Sequence, residues 1–168
     1  MTRNWPELIY IMQYILDHPK EWDQTVYSNT CGTAYCFAGH TAIHIGGRQI
    51  RRREFSATDW LFREDDDYTD LVIPPADIAE RLVQRFEGRF APNSCIADGT
   101  TVWEMDCVAE AALGLTSDEA DELFDSDNTI PQLIWYLRKW AEEDGVALPD
   151  SWPEPNEPGS CCDCCDDY

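Results

Sequence analysis

Residues 129–145 have the sequence TIPQLIWYLRKWAEEDG, the clearest helical pattern in this chain of 168 residues. Thr129 is a residue type that caps helix N-termini, and Gly145 is typical of a helix end. Between them, apolar side chains recur every three or four positions, at Ile130, Leu133, Ile134, Leu137, Trp140 and Ala141. This spacing places them on one face of an α-helix. The stretch therefore predicts an amphipathic helix that buries one face in a core.

Similar patterns predict further helices. We expect them near residues 4–17, 33–45, 74–88, 101–114 and 116–124. Asn4 and Thr116 are suited to cap the first and the last of these. Strand-like patterns are limited to short pieces at 49–55 and 71–73. The sequence thus predicts a mostly α protein, a compact domain of five to six helices over residues 1–148 with at most minor strands.

The composition is strongly acidic, but it is not that of a disordered chain. The chain carries 33 acidic and 12 basic side chains, a net charge of −21, and 43% of its residues are hydrophobic. That share supplies enough apolar surface for a core. Nucleic acids and anionic membranes are themselves negative, so the charge argues against a general binder of either. The sequence also has no apolar run of roughly 18 residues and no secretory signal pattern, so we expect a cytoplasmic protein.

The negative charge is concentrated toward the C-terminus. Residues 1–90 have a net charge of −4 and residues 91–168 one of −17. A surface of this kind attracts a basic partner, and in the sharpest form of the hypothesis its carboxylates mimic nucleic-acid phosphates. This favours a non-enzymatic interaction protein that needs no cofactor. The candidate contact residues are Asp118, Glu119, Asp121, Glu122, Asp125 and Asp127, with Glu142, Glu143 and Asp144 behind them.

The segment 31–40, CGTAYCFAGH, allows three interpretations. On a helix Cys36, His40 and His44 share one face, which suggests a zinc site. Alternatively, Cys31 or Cys36 is a nucleophile with His40 or His44 as its base, Cys31 being activated by the helix N-terminus. In the third interpretation the small residues and thiols only pack, and a histidine donates to a backbone carbonyl. The first two would make the protein a metal-dependent or thiol-dependent enzyme.

Basic residues cluster just after the predicted second helix. Arg48, Arg51, Arg52 and Arg53 fall within six positions, and the acidic run 64–67 follows. The arginines either pair with those acids in a solvated loop or bind a phosphorylated small molecule.

The last twenty residues, 149–168, differ from the rest in composition. They are rich in proline, acids and cysteine, which predicts a flexible, disordered tail. Cys161, Cys162, Cys164 and Cys165 form two interleaved Cys-x-x-Cys pairs. These thiols are either dispensable or serve metal binding or thiol exchange.

Two stretches carry a resemblance to known proteins. CGTAYCFAGH at 31–40, preceded by Trp22-Asp23-Gln24, and LGLTSDEADELF at 113–124 resemble motifs of a set of small actinobacterial and actinobacteriophage proteins. The resemblance covers residues 14–45 and 105–137 and assigns no catalytic residue. It implies a phage or actinobacterial accessory protein that acts in a bacterial cytoplasm. With the acidic charge, this suggests a phage protein that modulates a host nucleic-acid-binding or defence factor.

Overall fold

The computed structural model describes residues 2–26, 34–51, 68–86, 94–95 and 100–158. The helices in these ranges are α1 (Trp5–Asp17), α2 (Phe37–His44), α3 (Ala76–Phe86), α4 (Met105–Leu113), α5 (Ser117–Phe124) and α6 (Ile130–Asp144). The strands are β1 (Arg48–Arg51), β2 (Tyr68–Ile73), β3 (Ser94–Cys95) and β4 (Thr101–Glu104). The expected mostly α fold is confirmed, with a small sheet added. None of these helices is long and apolar enough to cross a membrane.

The strands form an antiparallel sheet in the order β1-β2-β4-β3. The sequence predicted a helix from Thr101 onward, whereas the structure has strand β4 first and begins α4 at Met105. Thr, Val and Trp fit a strand as well as they fit the helical spacing, and the pairing of this segment with β2 and β3 decides for the strand. Val102 packs with Ile50 on one side of the sheet, while Trp103 packs among the α3 and α4 residues.

The largest core cluster joins α1, α5 and α6. The helical stripe predicted on α6 is buried at Leu133, Ile134, Leu137, Trp140 and Ala141, and Ile130 packs half-buried beside it. The stripe predicted on α3 is buried at Ile78, Leu82 and Phe86, but its Val83 is 58% exposed. Val83 therefore lies beyond the edge of the buried face.

Residues 149–158, the first half of the predicted tail, pack on the body of the protein. Trp152 is only 4% exposed, and its Nε1–H donates to Oε1 of Gln13 on α1 at 3.0 Å. The backbone N–H of Asn156 donates to the carbonyl of Pro131 at 3.0 Å. The prediction of disorder from residue 149 is therefore wrong for this half, because one large aromatic side chain supplies the apolar burial that the composition lacked. Residues 159–168, with the four tail cysteines, lie outside the described residues.

Asn4, near the start of the chain, donates hydrogen bonds to the last carbonyls of α4. The sequence predicted that Asn4 caps α1, but its side-chain amide donates to the Ala112 carbonyl at 3.1 Å. Its backbone N–H donates to the Leu113 carbonyl at 2.7 Å. Gly114 ends α4 with φ of 66°, and a Cβ there would lie 2.5 Å from the Thr2 carbonyl oxygen. Glycine is thus required at 114 both for its left-handed backbone and for this close approach.

The capping box predicted at the start of α5 is confirmed. The Thr116 hydroxyl accepts the N–H of Glu119 at 3.3 Å, and the Glu119 carboxylate accepts the N–H of Thr116 at 2.6 Å. This reciprocal pair satisfies backbone donors at the helix start and fixes the direction of α5.

Candidate functional site

Helix α2 begins four residues later than the sequence predicted. Residues 34–36 are extended, because the N–H of Tyr35 donates to the Glu21 carbonyl and that of Cys36 donates to the Val26 carbonyl, both at 3.0 Å. The helix then starts at Phe37. The premise that placed Cys31 at this helix start is therefore wrong, and Cys31 itself lies outside the described residues.

Cys36 caps helix α2 from a buried position. Its Sγ accepts the N–H of Gly39 at 3.4 Å, and the side chain is 2% exposed beside Ala38 and Ala109. Burial raises the pKa of the Cys36 thiol to about 11, although the hydrogen bond from Gly39 works in the opposite direction. The thiol is therefore protonated at neutral pH, whereas a nucleophile has to be a thiolate.

His40 is held by a backbone carbonyl. Its Nε2 lies 2.8 Å from the carbonyl oxygen of Glu21, which can only accept, so Nε2 carries the proton of the neutral ring. Burial lowers the pKa of His40 below its ordinary value, partly offset by this hydrogen bond. His44 has different neighbours: its ring stacks on Tyr10 with centroids 4.0 Å apart, and its Nε2 is 3.6 Å from Oε1 of Glu7.

The three predicted zinc ligands do not converge. Across the described ranges, one set of three or more His, Cys, Asp or Glu side chains brings all its ligand atoms within 4.8 Å of one another. That set is Glu104, Asp106 and Cys107, at the junction of β4 and α4. Cys36, His40 and His44 are not in it.

The junction set is a half-buried group of two carboxylates and one thiol. Burial, followed by the charges of Asp106, Glu104 and Glu110, raises the pKa of Cys107 to about 12. The Asp106 carboxylate accepts the N–H of Cys107 at 2.6 Å. Sequence reasoning missed this grouping because it predicted one continuous helix across the strand–helix junction.

Gln24 connects the segments that carry the resemblance. It is 5% exposed, and its Nε2 donates to the carbonyls of Leu123 at 3.2 Å and Asp125 at 3.1 Å. Its Oε1 accepts the N–H of Phe37 at 3.1 Å and the indole N–H of Trp22 at 3.2 Å. One side chain therefore joins the start of α2 to the end of α5, which gives these motif residues a structural role.

An exposed row of carboxylates follows α5 and the turn after it. Its members, which we call the acidic face, are Asp118, Asp121, Glu122, Asp125 and Asp127. In the part of the chain that the structure describes, none of the five forms an ion pair. The Asp125 carboxylate accepts the N–H of Asp127 at 2.8 Å and so shapes the turn. Only Ala120 and Leu123 of α5 are buried.

Three carboxylates predicted for this surface are instead bound by Arg3. Its guanidinium lies 2.5 Å from Glu119, 3.0 Å from Glu143 and 3.0 Å from Asp144. Burial opposes ionisation of Glu119, but the hydrogen bonds from Thr116 and Arg3 outweigh it and hold its pKa below the ordinary value. The Trp5 indole N–H donates to Asp144 at 2.8 Å and, together with Arg3, lowers the pKa of that carboxyl group.

The arginine cluster is described only in part. Arg48 and Arg51 are exposed on β1 with Ile50 buried between them, and both make further polar contacts. Arg52 and Arg53 lie outside the described residues, as does the acidic run 64–67. The phosphate-binding hypothesis stays a prediction.

A cavity of about 200 Å³ lies between α1 and α2. Its lining includes Tyr10, Tyr14, Glu21, Tyr35, His40 and His44. Sequence reasoning did not find it, because its residues come from α1, from the connector near residue 21 and from α2. The shared helical spacing of His40 and His44 was the only signal.

Compared with known proteins, the chain matches no family model, no curated protein sequence and no solved structure.

Proposed function

We propose that this is a non-enzymatic accessory protein that binds a basic surface of another protein through its acidic face. The observation that carries the proposal is the row of five exposed carboxylates without an ion-pair partner among the described residues. The resemblance in the motif segments adds a phage origin and a bacterial host protein as the partner. A Cys/His-centred enzyme has less support, because Cys36 is a protonated, buried thiol and His40 is held by a carbonyl.

Four of these acids repel one another along α5. Asp118, Asp121, Glu122 and Asp125 are three or four positions apart, so like charges are neighbours on the helix surface. Each such pair costs a few tenths of a kcal/mol, ~0.2–0.5. Asp125 also stands at the C-terminal end of α5, where the helix dipole disfavours a negative charge. The dipole does favour Asp118 in the first turn, and Asp125 accepts the N–H of Asp127, but the mutual repulsion of the four acids is better explained by a binding role than by stability.

The charge density supports the nucleic-acid mimicry form of this proposal. From Asp118 to Asp125 the helix axis advances by about 10 Å. Four carboxylates lie along that length. One strand of DNA carries about three phosphates over the same distance. The charge density along the acidic face is therefore similar to that of a DNA strand. A basic groove that binds nucleic acid would attract it for the same reason.

The test compares three versions of the full chain in affinity capture from a bacterial host lysate. The first is wild type, and the second is the face variant Asp118→Asn/Asp121→Asn/Glu122→Gln. The third is a matched control with the same change in charge, Asp17→Asn/Glu80→Gln/Glu154→Gln, which neutralises three exposed carboxylates elsewhere. Each capture is made at roughly 50 and 200 mM salt, with mass spectrometric identification.

We expect a basic host protein that wild type and the control retain at low salt, and that the face variant loses. Raising the salt should release it, because counterion release drives such binding. Duplex DNA added to the lysate should compete if the face mimics nucleic acid. Equal retention by all three versions, or retention unaffected by salt, would contradict the proposal.

A further inference from the structure

The cavity between α1 and α2 is built mainly from aromatic rings. Tyr14 lies against His40 with ring centroids 5.3 Å apart, and Tyr35 meets the same imidazole edge-on at 5.5 Å. Tyr10 is 47% exposed at the rim and stacks on His44. The side chains of Ile11 and Ile43 complete the lining. Tyr14 also stacks on His18 with ring centroids 4.2 Å apart, so a ligand here would meet the remaining faces and edges of these rings together with apolar surface.

The charges around this cavity are negative. Glu21 lines it and accepts the Tyr14 hydroxyl at 2.7 Å. Behind His44, Oε1 of Glu7 is buried and has no hydrogen-bond partner among the described residues. The lining contains no lysine or arginine in the part of the chain that the structure describes. The net charge of −21 extends the attraction for cations over the surface as a whole.

We propose that this cavity binds a small organic cation, an alkylated ammonium group, between Tyr10, Tyr14 and Tyr35 with Glu21 as its counter-charge. Tyrosine rings attract cations through their negative faces, and several rings together select methylated ammonium groups over more strongly hydrated ions. The volume of about 200 Å³ is small for a metabolite-sized ligand, but it holds a head group of this kind. An anion would be repelled by Glu21, and among the described residues Glu21, His40 and His44 do not bring three ligand atoms together for a metal ion.

The experiment titrates the full chain with choline and, separately, with its uncharged isostere 3,3-dimethylbutan-1-ol. Saturation-transfer NMR on the methyl protons measures both affinities at constant ionic strength. Glu21→Gln removes the counter-charge, and Glu80→Gln on α3 is its matched control. Tyr10→Leu removes an aromatic ring that is exposed enough to spare the fold, and Tyr136→Leu, outside the cavity, is the control for it.

We expect choline to bind at least about tenfold more tightly than the alcohol, because only choline carries a positive charge that is attracted by the tyrosine rings and by Glu21. Glu21→Gln and Tyr10→Leu should each weaken choline binding by about three- to tenfold, while both controls leave it unchanged. Equal affinity for the alcohol, equal effects of Glu21→Gln and Glu80→Gln, or no saturable signal up to roughly 50 mM choline would overturn the proposal.

Discussion

Helices α2 and α5 are both eight residues long, and Gln24 ties them together, yet they use their side chains in opposite ways. Every residue from Phe37 to Thr41 of α2 is buried, and so is Cys36 at its cap. On α5 only Ala120 and Leu123 are buried, and the carboxylates other than Glu119 face solvent. The thiol and imidazole that suggest chemistry lie in the packed part of α2, while Asp118, Asp121 and Glu122 of α5 make no ion pair among the described residues.

The link between the two helices can be broken at Gln24. Gln24→Ala removes the partners of the Phe37 N–H and of the carbonyls at the end of α5, in a position that is 5% exposed. Leaving buried backbone groups unsatisfied should lower the free energy of unfolding by about 3 kcal/mol. Urea denaturation measures the loss. Gln84→Ala, on the exposed side of α3, is the control and should cost almost nothing. A loss below about 1 kcal/mol would mean that Gln24 does not join the helices.

The packing role of α2 can be tested through the reactivity of Cys36. With its pKa at about 11 against the ordinary 9.0, the Cys36 thiolate at pH 8 should be about 100-fold scarcer than in the denatured chain. Iodoacetamide labelling, read out by peptide mass spectrometry, should therefore be at least that much slower in the native protein. Equal rates in the native and denatured states would restore the nucleophile hypothesis for Cys36.

The anchoring of α5 can be weakened at Arg3. Arg3→Met leaves Glu119 half-buried without its guanidinium and should cost about 2 kcal/mol at pH 7. Glu119 and Asp144 have folded-state pKa values below 4.5 and 3.8, so their stabilisation is complete above those values and is lost as the pH falls below them. The difference between wild type and variant should thus shrink below about pH 4. Thermal unfolding from pH 3 to 7 measures it. Lys139→Met on exposed α6 surface should show neither effect.

The smallest expected effect on stability is that of the acidic face. The triple variant Asp118→Asn/Asp121→Asn/Glu122→Gln should raise the free energy of unfolding by no more than about 1 kcal/mol, because it relieves like-charge repulsion between exposed side chains but also removes Asp118 from the first turn of α5. The same variant should lose the partner. Destabilisation by more than about 1 kcal/mol would show that these carboxylates support the fold and would remove the contrast between α2 and α5.

Local patterns predicted the helices because their determinants are local. The α6 stripe, the Thr116–Glu119 capping box and the glycine ends of α4 and α6 all depend on residues within a few turns of one another. Strand β4 was missed because Thr101–Glu104 suits either pattern, and its pairing with β2 decided between them. Local spacing cannot reveal which partner a short segment will find.

The site residues were harder to predict because their neighbours are far away in sequence. Gln24 bonds to Leu123, 99 positions on, and Arg3 reaches Glu119 and Glu143. The sequence placed Glu119, Glu143 and Asp144 on a free acidic surface, since Arg3 is more than a hundred positions away from all three. Only the fold brings Arg3 to them. Likewise, the cavity joins tyrosines from α1 to histidines of α2.

Arg3 and Trp5 are translated long before the α6 residues that they contact in the folded protein. Arg3 is translated 140 residues before its partner Glu143, and Trp5 139 residues before Asp144. At about 5–20 residues per second, the first helix waits about 7–28 s before the end of α6 exists to receive it. During that time its apolar face, with Leu8, Ile11 and Ile15, has no α6 to cover it. For that interval the apolar face of α1 therefore lacks the contacts with α6 that bury it in the folded protein.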